Sequence, residues 1–222
     1  MTDMNKLLGQ LLGSGAAGGF AGGLAGGLAS SVLTSKSGRK LGKSALKLGG
    51  VAAVGALAYT AYKRYSDPQQ GPSATPPANA PAEVTPAPAG SAFMPASDNH
   101  AANEALGLIL VRAMIAAARS DGRLDAQESQ AIFQRIEALG LGAEEQNILV
   151  REMGHPVDVD AIVNSATCPE VAAEIYVASL LAIEVDSAAE RAYLSMLAAR
   201  LQLPPGLVAE LEAQVESQRH RV

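Results

Sequence analysis

Two short acidic stretches are the places where this sequence carries side chains that could do chemistry. Each stretch holds three carboxylates, and together they are Asp121, Asp125, Glu128, Glu184, Asp186 and Glu190. Carboxylates that face one another repel, and a hard divalent cation such as Ca²⁺ or Mg²⁺ offsets that repulsion. If the two stretches meet in space, the sequence predicts a cation site between them, and it indicates no other cofactor.

The same residue types also cap helices. Asp125 followed by Glu128 has the spacing of a capping box, and Ser187 followed by Glu190 repeats that spacing. In a capping box the two side chains satisfy free backbone amides in the first turn of a helix. Two interpretations therefore stand side by side, in which these residues are caps alone or are caps that also hold a cation.

Catalytic residues are not indicated anywhere in the chain. The single cysteine, Cys168, and three scattered histidines are too few and too far apart for a His/Cys zinc site. No serine, cysteine or histidine stands in a recognisable nucleophile motif, and no glycine-rich phosphate loop follows a strand. The sequence therefore predicts that the protein is not an enzyme.

Residues 101–222, which contain both acidic stretches, have helical periodicity throughout. Apolar residues recur at intervals of three and four behind each capping box, and no segment alternates as a strand would. The offset between the two capping boxes also brings Leu139-Gly140-Leu141 onto Leu201-Gln202-Leu203. The sequence predicts an all-α bundle of roughly seven helices with an internal two-fold repeat that relates residues 125–139 to 187–201.

Charge is distributed unevenly along the chain. Residues 1–66 contain eight Lys or Arg and one acid, which gives a net charge of +7. Residues 101–222 contain nine Arg and eighteen acids, which gives a net charge of −9. A basic segment suits nucleic acid or an anionic membrane surface, whereas the acidic charge of residues 101–222 argues against nucleic acid as their partner.

Glycines at regular spacing mark the uncharged segment 7–35. Four of them fall four residues apart: Gly15, Gly19, Gly23 and Gly27. Small residues at this spacing let helices approach closely in a membrane, so the segment is also a candidate for homo-oligomer formation. Because glycine is a poor helix former in water, a flexible or interfacial tail is the alternative.

An uncharged run from Leu48 to Tyr62 is the second candidate membrane segment. Basic residues flank it on both sides: Lys43, Lys47, Lys63 and Arg64. The run is shorter than the ~20 residues of a spanning helix, but flanking lysines extend such a run by reaching the headgroups. The sequence predicts a membrane anchor at 41–65, with a basic amphipathic helix on the membrane surface as the alternative. Residues 101–222 are called the body from here on. Which side of the membrane carries the body, and whether one or two segments span the membrane, stay open.

The stretch between this segment and the helical region is rich in proline. Residues 67–100 hold eight of the twelve prolines and show no helical or strand period. Such composition predicts a semi-extended, disordered linker. The chain thus divides into a membrane-associated segment at 1–66, a linker at 67–100 and a helical domain at 101–222.

Two motifs in the helical region resemble a known family. The run Ala116–Glu128 resembles the signature of the TerB-like domains of tellurite-resistance proteins, and so do residues 189–194 taken with 201–203. The glycine-rich, basic head resembles uncharacterised bacterial proteins of the inner (cytoplasmic) membrane that carry such a domain. The resemblance implies a roughly seven-helix bundle and a stress-related membrane complex as its setting. It also implies a cation site on Asp121 and Glu128, and less directly on Glu190.

Three functions are compatible with these features. The first is a membrane-anchored adaptor that binds lipids and other proteins and is tuned by a divalent cation. The second is a metal-dependent hydrolase that uses the acidic stretches, and the third is a glycine-zipper membrane oligomer. The sequence favours the adaptor, because an enzyme needs a water-activating centre or a nucleophile that no motif supplies.

Overall fold

The protein folds into helices in this computed structural model, which describes residues 7–8, 50–66, 84–96, 98–120, 143–183, 185 and 187–219. The helices in chain order are α1 (Gly50–Ser66), α2 (His100–Ala118), α3 (Ala143–Gly154), α4 (Val159–Asn164), α5 (Pro169–Ala182), α6 (Ala188–Arg200) and α7 (Pro205–Arg219). The described residues form no strand, and an isolated bridge joins Ser91 to Met94. The prediction of an all-α fold is confirmed.

Local capping signals explain where several helices begin. The Asn99 side chain accepts a hydrogen bond from the amide of Ala102 at the start of α2, and Asp158 accepts one from Ala161 at the start of α4. Pro169 occupies the first turn of α5, where a missing amide hydrogen costs nothing. These three starts lie in or at the edge of the region, residues 101–222, that the sequence predicts to be helical.

The end of α6 is closed by a residue in the left-handed conformation. Gln202 follows the helix with a φ of 56°, and the next amide, that of Leu203, donates to the carbonyl of Ala198 at 3.0 Å. This hydrogen bond belongs to the Schellman arrangement, in which glycine is the usual left-handed residue. Gln202 therefore carries a side chain where the backbone favours glycine.

Helix α5 is the centre of the core. Most of its side chains are buried, including Ile175, Tyr176 and Val177, and it packs against α1, α2, α6 and α7. A helix that is apolar on every side needs neighbours all round, and α5 has them. Among the described helices, α2 alone has the length and composition to cross a membrane, and 61% of its apolar window is buried in this core.

Helix α1 belongs to the same core. It packs mainly against α7 and α5 and also against α2, and its residues Val51, Val54 and Ala61 are almost completely buried. This is the segment in which the sequence predicts a membrane anchor. The division of the chain into three regions stays a prediction, but contacts of α1 cross both of the predicted boundaries.

Residues 84–96, here called the strap, lie along α1. The amide of Thr85 donates to Thr60 Oγ1 at 3.0 Å, and the Phe93 ring makes edge-to-face contacts with Tyr59 and Tyr62 at centroid distances of 5.6 and 5.4 Å. Phe93 itself is buried. The strap lies within the predicted linker, and its packing adds a further layer over α1.

Several predicted elements lie outside the described residues. The helix at 125–139 is one of them, so its proposed relation to 187–201 stays a prediction. The glycine series Gly15, Gly19, Gly23 and Gly27 also lies outside, as do Lys43 and Lys47.

Candidate functional site

Most of the predicted cation ligands lie outside the described residues, namely Asp121, Asp125, Glu128, Glu184 and Asp186. Glu190 is described, and it closes a capping box at the start of α6. Its carboxylate accepts a hydrogen bond from the Ser187 amide at 3.0 Å, and Ser187 Oγ accepts one from the Glu190 amide at 3.1 Å. The predicted capping box is therefore present at this pair, and a cation held by the same residues stays a prediction. In the described part of the chain, no three His, Cys, Asp or Glu side chains come close enough together to hold a metal ion.

Lys63 and Arg64, which the sequence places at a membrane boundary, lie in the last turn of α1. Cations at this end of a helix interact favourably with its partial negative charge. Their position therefore has a structural reason that is independent of a membrane.

The place that combines close packing with chemistry is the junction of α1, the strap and α5. At Gly55 of α1, an added Cβ would lie 2.3 Å from the carbonyl oxygen of Phe93 and 3.0 Å from Oε1 of Glu174. The first distance is far below any contact that a carbon atom tolerates. Three segments therefore converge at a point where only glycine fits on α1.

Glu174, the residue that α5 contributes to this junction, is completely buried. Neither of its carboxylate oxygens has a hydrogen-bond partner among the described residues. Desolvation raises the pKa of this carboxyl group to about 9, and the nearby charge of Glu170 contributes to this rise. Glu174 is consequently protonated and uncharged at neutral pH.

Polar groups on α7 lie on another side of the same core. Tyr176, two residues after Glu174, donates its hydroxyl hydrogen to Glu212 Oε1 at 2.8 Å and so links α5 to α7. Burial, together with this hydrogen bond, raises the pKa of Tyr176. Gln214 on α7 is buried, and within the described ranges neither its amide oxygen nor its amide nitrogen has a partner.

A charged contact, by contrast, joins α2 to α3. Arg112 Nε donates to Glu152 Oε2 at 2.7 Å, and the Glu152 side chain is only 7% exposed. This partner holds the pKa of Glu152 below its usual value. Arg119 Nη1 donates to the carbonyl oxygens of Met153 and His155 and secures the end of α3.

Sequence reasoning did not single out Glu174, although a signal was present. The periodicity predicts that Val171, Ile175 and Ala178 face the core, and Glu174 lies three residues after Val171 and four before Ala178 on that same face. A single acid within an otherwise apolar helical face was the available sign. What the sequence could not reveal is that Gly55, far away in the chain, lies against it.

The structure is that of an all-helical bundle protein. Its core lies around α5, and α1, from the N-terminal half of the chain, forms part of that core. The chain belongs to DUF533, a family described as "Protein of unknown function (DUF533)", whose profile matches residues 18–215. DUF533 is a TerB-like family, so this part of the resemblance is confirmed.

One curated relative adds a more distant comparison. The chain is 26% identical over 113 residues to the "Uncharacterized protein in ampR 5'region" of Yersinia enterocolitica, an alignment that covers 51% of this chain and 81% of that protein. No solved structure matches the chain.

Proposed function

We propose that the protein is a non-enzymatic interaction protein of the bacterial inner membrane whose helical body holds an apolar helix rich in small residues. In this chain, α1 is that helix. The observation that carries the proposal is the position of α1 between α5, α7 and the strap. The DUF533 match supports it as well, because residues 18–215 include α1 and nearly the whole body in one unit.

The composition of α1 suits such a role. Gly55, Ala56, Ala58 and Ala61 present little side chain, so neighbouring backbones can approach closely. At Gly55 the approach is close enough to exclude even a methyl group. The strap and α5 together therefore require glycine at this one position of α1.

Membrane association in this proposal comes from the uncharged, glycine-rich segment 7–35 and the net charge of +7 carried by residues 1–66. A docked α1 would hold the acidic body close to the membrane surface. We propose a stress-related or tellurite-related setting, with lipids and other proteins as partners, from the resemblance of residues 116–128 to the TerB-like domains of tellurite-resistance proteins. The glycine-zipper alternative depends on residues outside the described ranges, and so does the hydrolase alternative for every acidic residue except Glu190.

Cross-linking in membranes tests this arrangement. The Tyr65 ring lies against Gly206 at the start of α7, so Tyr65→Cys combined with Gly206→Cys in a Cys168→Ser background should react with a short bis-maleimide. Tyr65→Cys combined with Val150→Cys is the matched control, because Val150 is an exposed residue of α3, which is not among the helices that α1 mainly packs against. We expect the membrane fraction to contain the first cross-link and to lack the second.

Two results would contradict the proposal. If the chain does not fractionate with membranes, the membrane role is wrong. The second result is a chain that does fractionate with membranes, but in which the Tyr65→Cys, Gly206→Cys pair fails to cross-link while α1 reacts with lipid-soluble probes. In that case α1 spans the bilayer and is not held by the body.

A further inference from the structure

We propose that Glu174 is a proton-operated latch: α1 stays docked while this carboxyl group holds its proton, and undocking of α1 releases the proton to water. The inference rests on the docking of α1 that the proposed function also uses. It goes further by naming the group that controls docking and the signal to which that group responds.

The surroundings of Glu174 at the junction of α1, the strap and α5 suit a neutral carboxyl group. Oε1 of Glu174 and the carbonyl oxygen of Phe93 both lie close to the place that a Cβ of Gly55 would occupy, so the two oxygens share the same small region beside α1. A carbonyl oxygen is a hydrogen-bond acceptor, so it suits a protonated carboxyl group and repels a carboxylate. Among the described residues, no donor forms a hydrogen bond to either oxygen of Glu174. An ionised side chain at this place would therefore be a buried charge without a compensating hydrogen bond.

Docked α1 covers part of the Glu174 side chain. The side chain is completely buried, and α1 supplies part of the cover through Gly55. When α1 leaves, this side of α5 meets water, and an ordinary carboxyl group in water ionises above about pH 4.5. The docked state therefore retains one proton that the undocked state loses.

Charged residues on the surrounding elements also affect the ionisation of Glu174. On α5 itself, Glu170 acts on Glu174 and disfavours its ionisation. The strap has no ionisable residue, and the charged residues of α1, Lys63 and Arg64, lie two turns or more beyond Gly55.

The remaining helices that pack against α5 carry charges with other engagements or on exposed positions. On α7, Glu212 accepts the Tyr176 hydrogen bond, and on α2, Arg112 binds Glu152. On α6, Glu190 closes the capping box. The other charged residues of these three helices whose burial the structure describes lie at exposed or half-buried positions: Glu104, Arg191, Arg200, Glu210 and Glu216. Within the described part of the chain, Glu174 thus has no identified cation that would hold it ionised in the docked state.

The consequence is a pH dependence of a defined sign. Between the ionisation of the exposed group and that of the buried group, each rise of one pH unit should increase the undocked population about tenfold, since one proton is released. Acidification favours the docked helix, and alkaline conditions favour the undocked one.

Hydrogen exchange of the full-length chain measures this directly. Amides of residues 51–62 are followed at pH 5.5, 6.5 and 7.5, with rates corrected for intrinsic exchange. We expect the protection factors of these amides to fall about a hundredfold over the two pH units. Glu174→Gln keeps the size of the side chain and cannot ionise, so it should abolish the dependence, whereas Glu170→Gln, which removes only the neighbouring charge, should retain it.

Each other outcome has a distinct meaning. Protection that is high but independent of pH in the unmodified chain overturns the latch and leaves the docking of α1 intact. Exchange of α1 at nearly the intrinsic rate at every pH overturns the docking, and with it the proposed function. An equal pH dependence in α2 and α6 would mean that global unfolding releases the proton, and this also overturns the latch. If Glu174→Gln fails to fold, the slope in the unmodified chain still decides.

Discussion

Glu152 and Glu174 are both buried glutamates, and their surroundings give them opposite charge states. Glu152 on α3 accepts two hydrogen bonds from Arg112, and this partner lowers its pKa. Glu174 on α5 has no partner among the described residues, and desolvation raises its pKa to about 9. At neutral pH the first residue is charged and the second is not.

The difference shows how two contacts of one bundle respond to different conditions. The contact between α2 and α3 depends on a charge that must be present, and half-exposed Arg112 supplies its counterpart. The contact between α5 and α1 depends on a charge that must be absent, because an unpaired carboxylate in the core has no compensation. The two glutamates should therefore contribute to stability with opposite dependence on pH.

The largest expected effect concerns Glu174. The unfolded chain loses this proton near pH 4.5 and the folded chain only near pH 9, so stability should fall as pH rises through this interval. By pH 7 the loss amounts to about 3 kcal/mol at most, since each pH unit corresponds to about 1.4 kcal/mol. Glu174→Gln should remove this loss and unfold at higher denaturant concentration than the unmodified protein at pH 7. Equal denaturation midpoints of the two proteins at pH 5 and at pH 8 would contradict the account.

Gly55 should show the next largest effect. In Gly55→Ala the new methyl group meets the Phe93 carbonyl oxygen, and separating α1 from the strap to make room should cost about 1–3 kcal/mol. Gly154→Ala is the matched control, because a Cβ there meets nothing within 4 Å. Thermal unfolding of both variants measures the difference. A Gly55→Ala protein that is as stable as the Gly154→Ala protein would mean that the strap does not lie over α1.

A smaller effect is expected at the paired glutamate. Glu152→Gln removes the charge that Arg112 binds and should destabilise the protein by about 1 kcal/mol at pH 7. The lowered pKa of Glu152 means that this contribution is present above its usual value of 4.5 and disappears as pH falls below that value. Unfolding of Glu152→Gln and of the unmodified chain from pH 3 to pH 7 tests the sign. If the stability difference between Glu152→Gln and the unmodified chain is larger at pH 3 than at pH 7, the expected sign is wrong.

The smallest effect comes from Gln202 and provides a reference that does not depend on pH. Gln202→Gly removes a side chain from a residue with a φ of 56° and should stabilise the protein by about 0.5–1 kcal/mol. The gain should be the same at pH 5 and pH 8, unlike the effects at the two glutamates. A gain that changes with pH would indicate that titration of other groups dominates these measurements.

Local signals were sufficient for most helix positions and insufficient for the site. Pro169 and the Ser187–Glu190 capping box act through their own backbone neighbours, so short-range signals in the sequence mark the starts of α5 and α6. The role of α1 could not be read in the same way. An apolar helix with basic residues at its end has one composition whether lipid or other helices surround it. The meeting of Gly55 with Glu174 depends on tertiary packing between positions far apart in the chain.

The central claim is that α1 is part of the core of the helical body, and truncation tests it most directly. The sequence predicts that residues 101–222 form a domain of their own, whereas the packing of α1 against α5 and α7 makes it an integral part of that domain. Thermal unfolding should be compared for residues 48–222 and residues 67–222. We expect the longer chain to unfold cooperatively, and the shorter one to remain folded but to unfold at a much lower temperature, because the core would lose the buried side chains of α1. Two chains with the same unfolding midpoint would contradict the claim and would restore α1 to the role of a free membrane anchor.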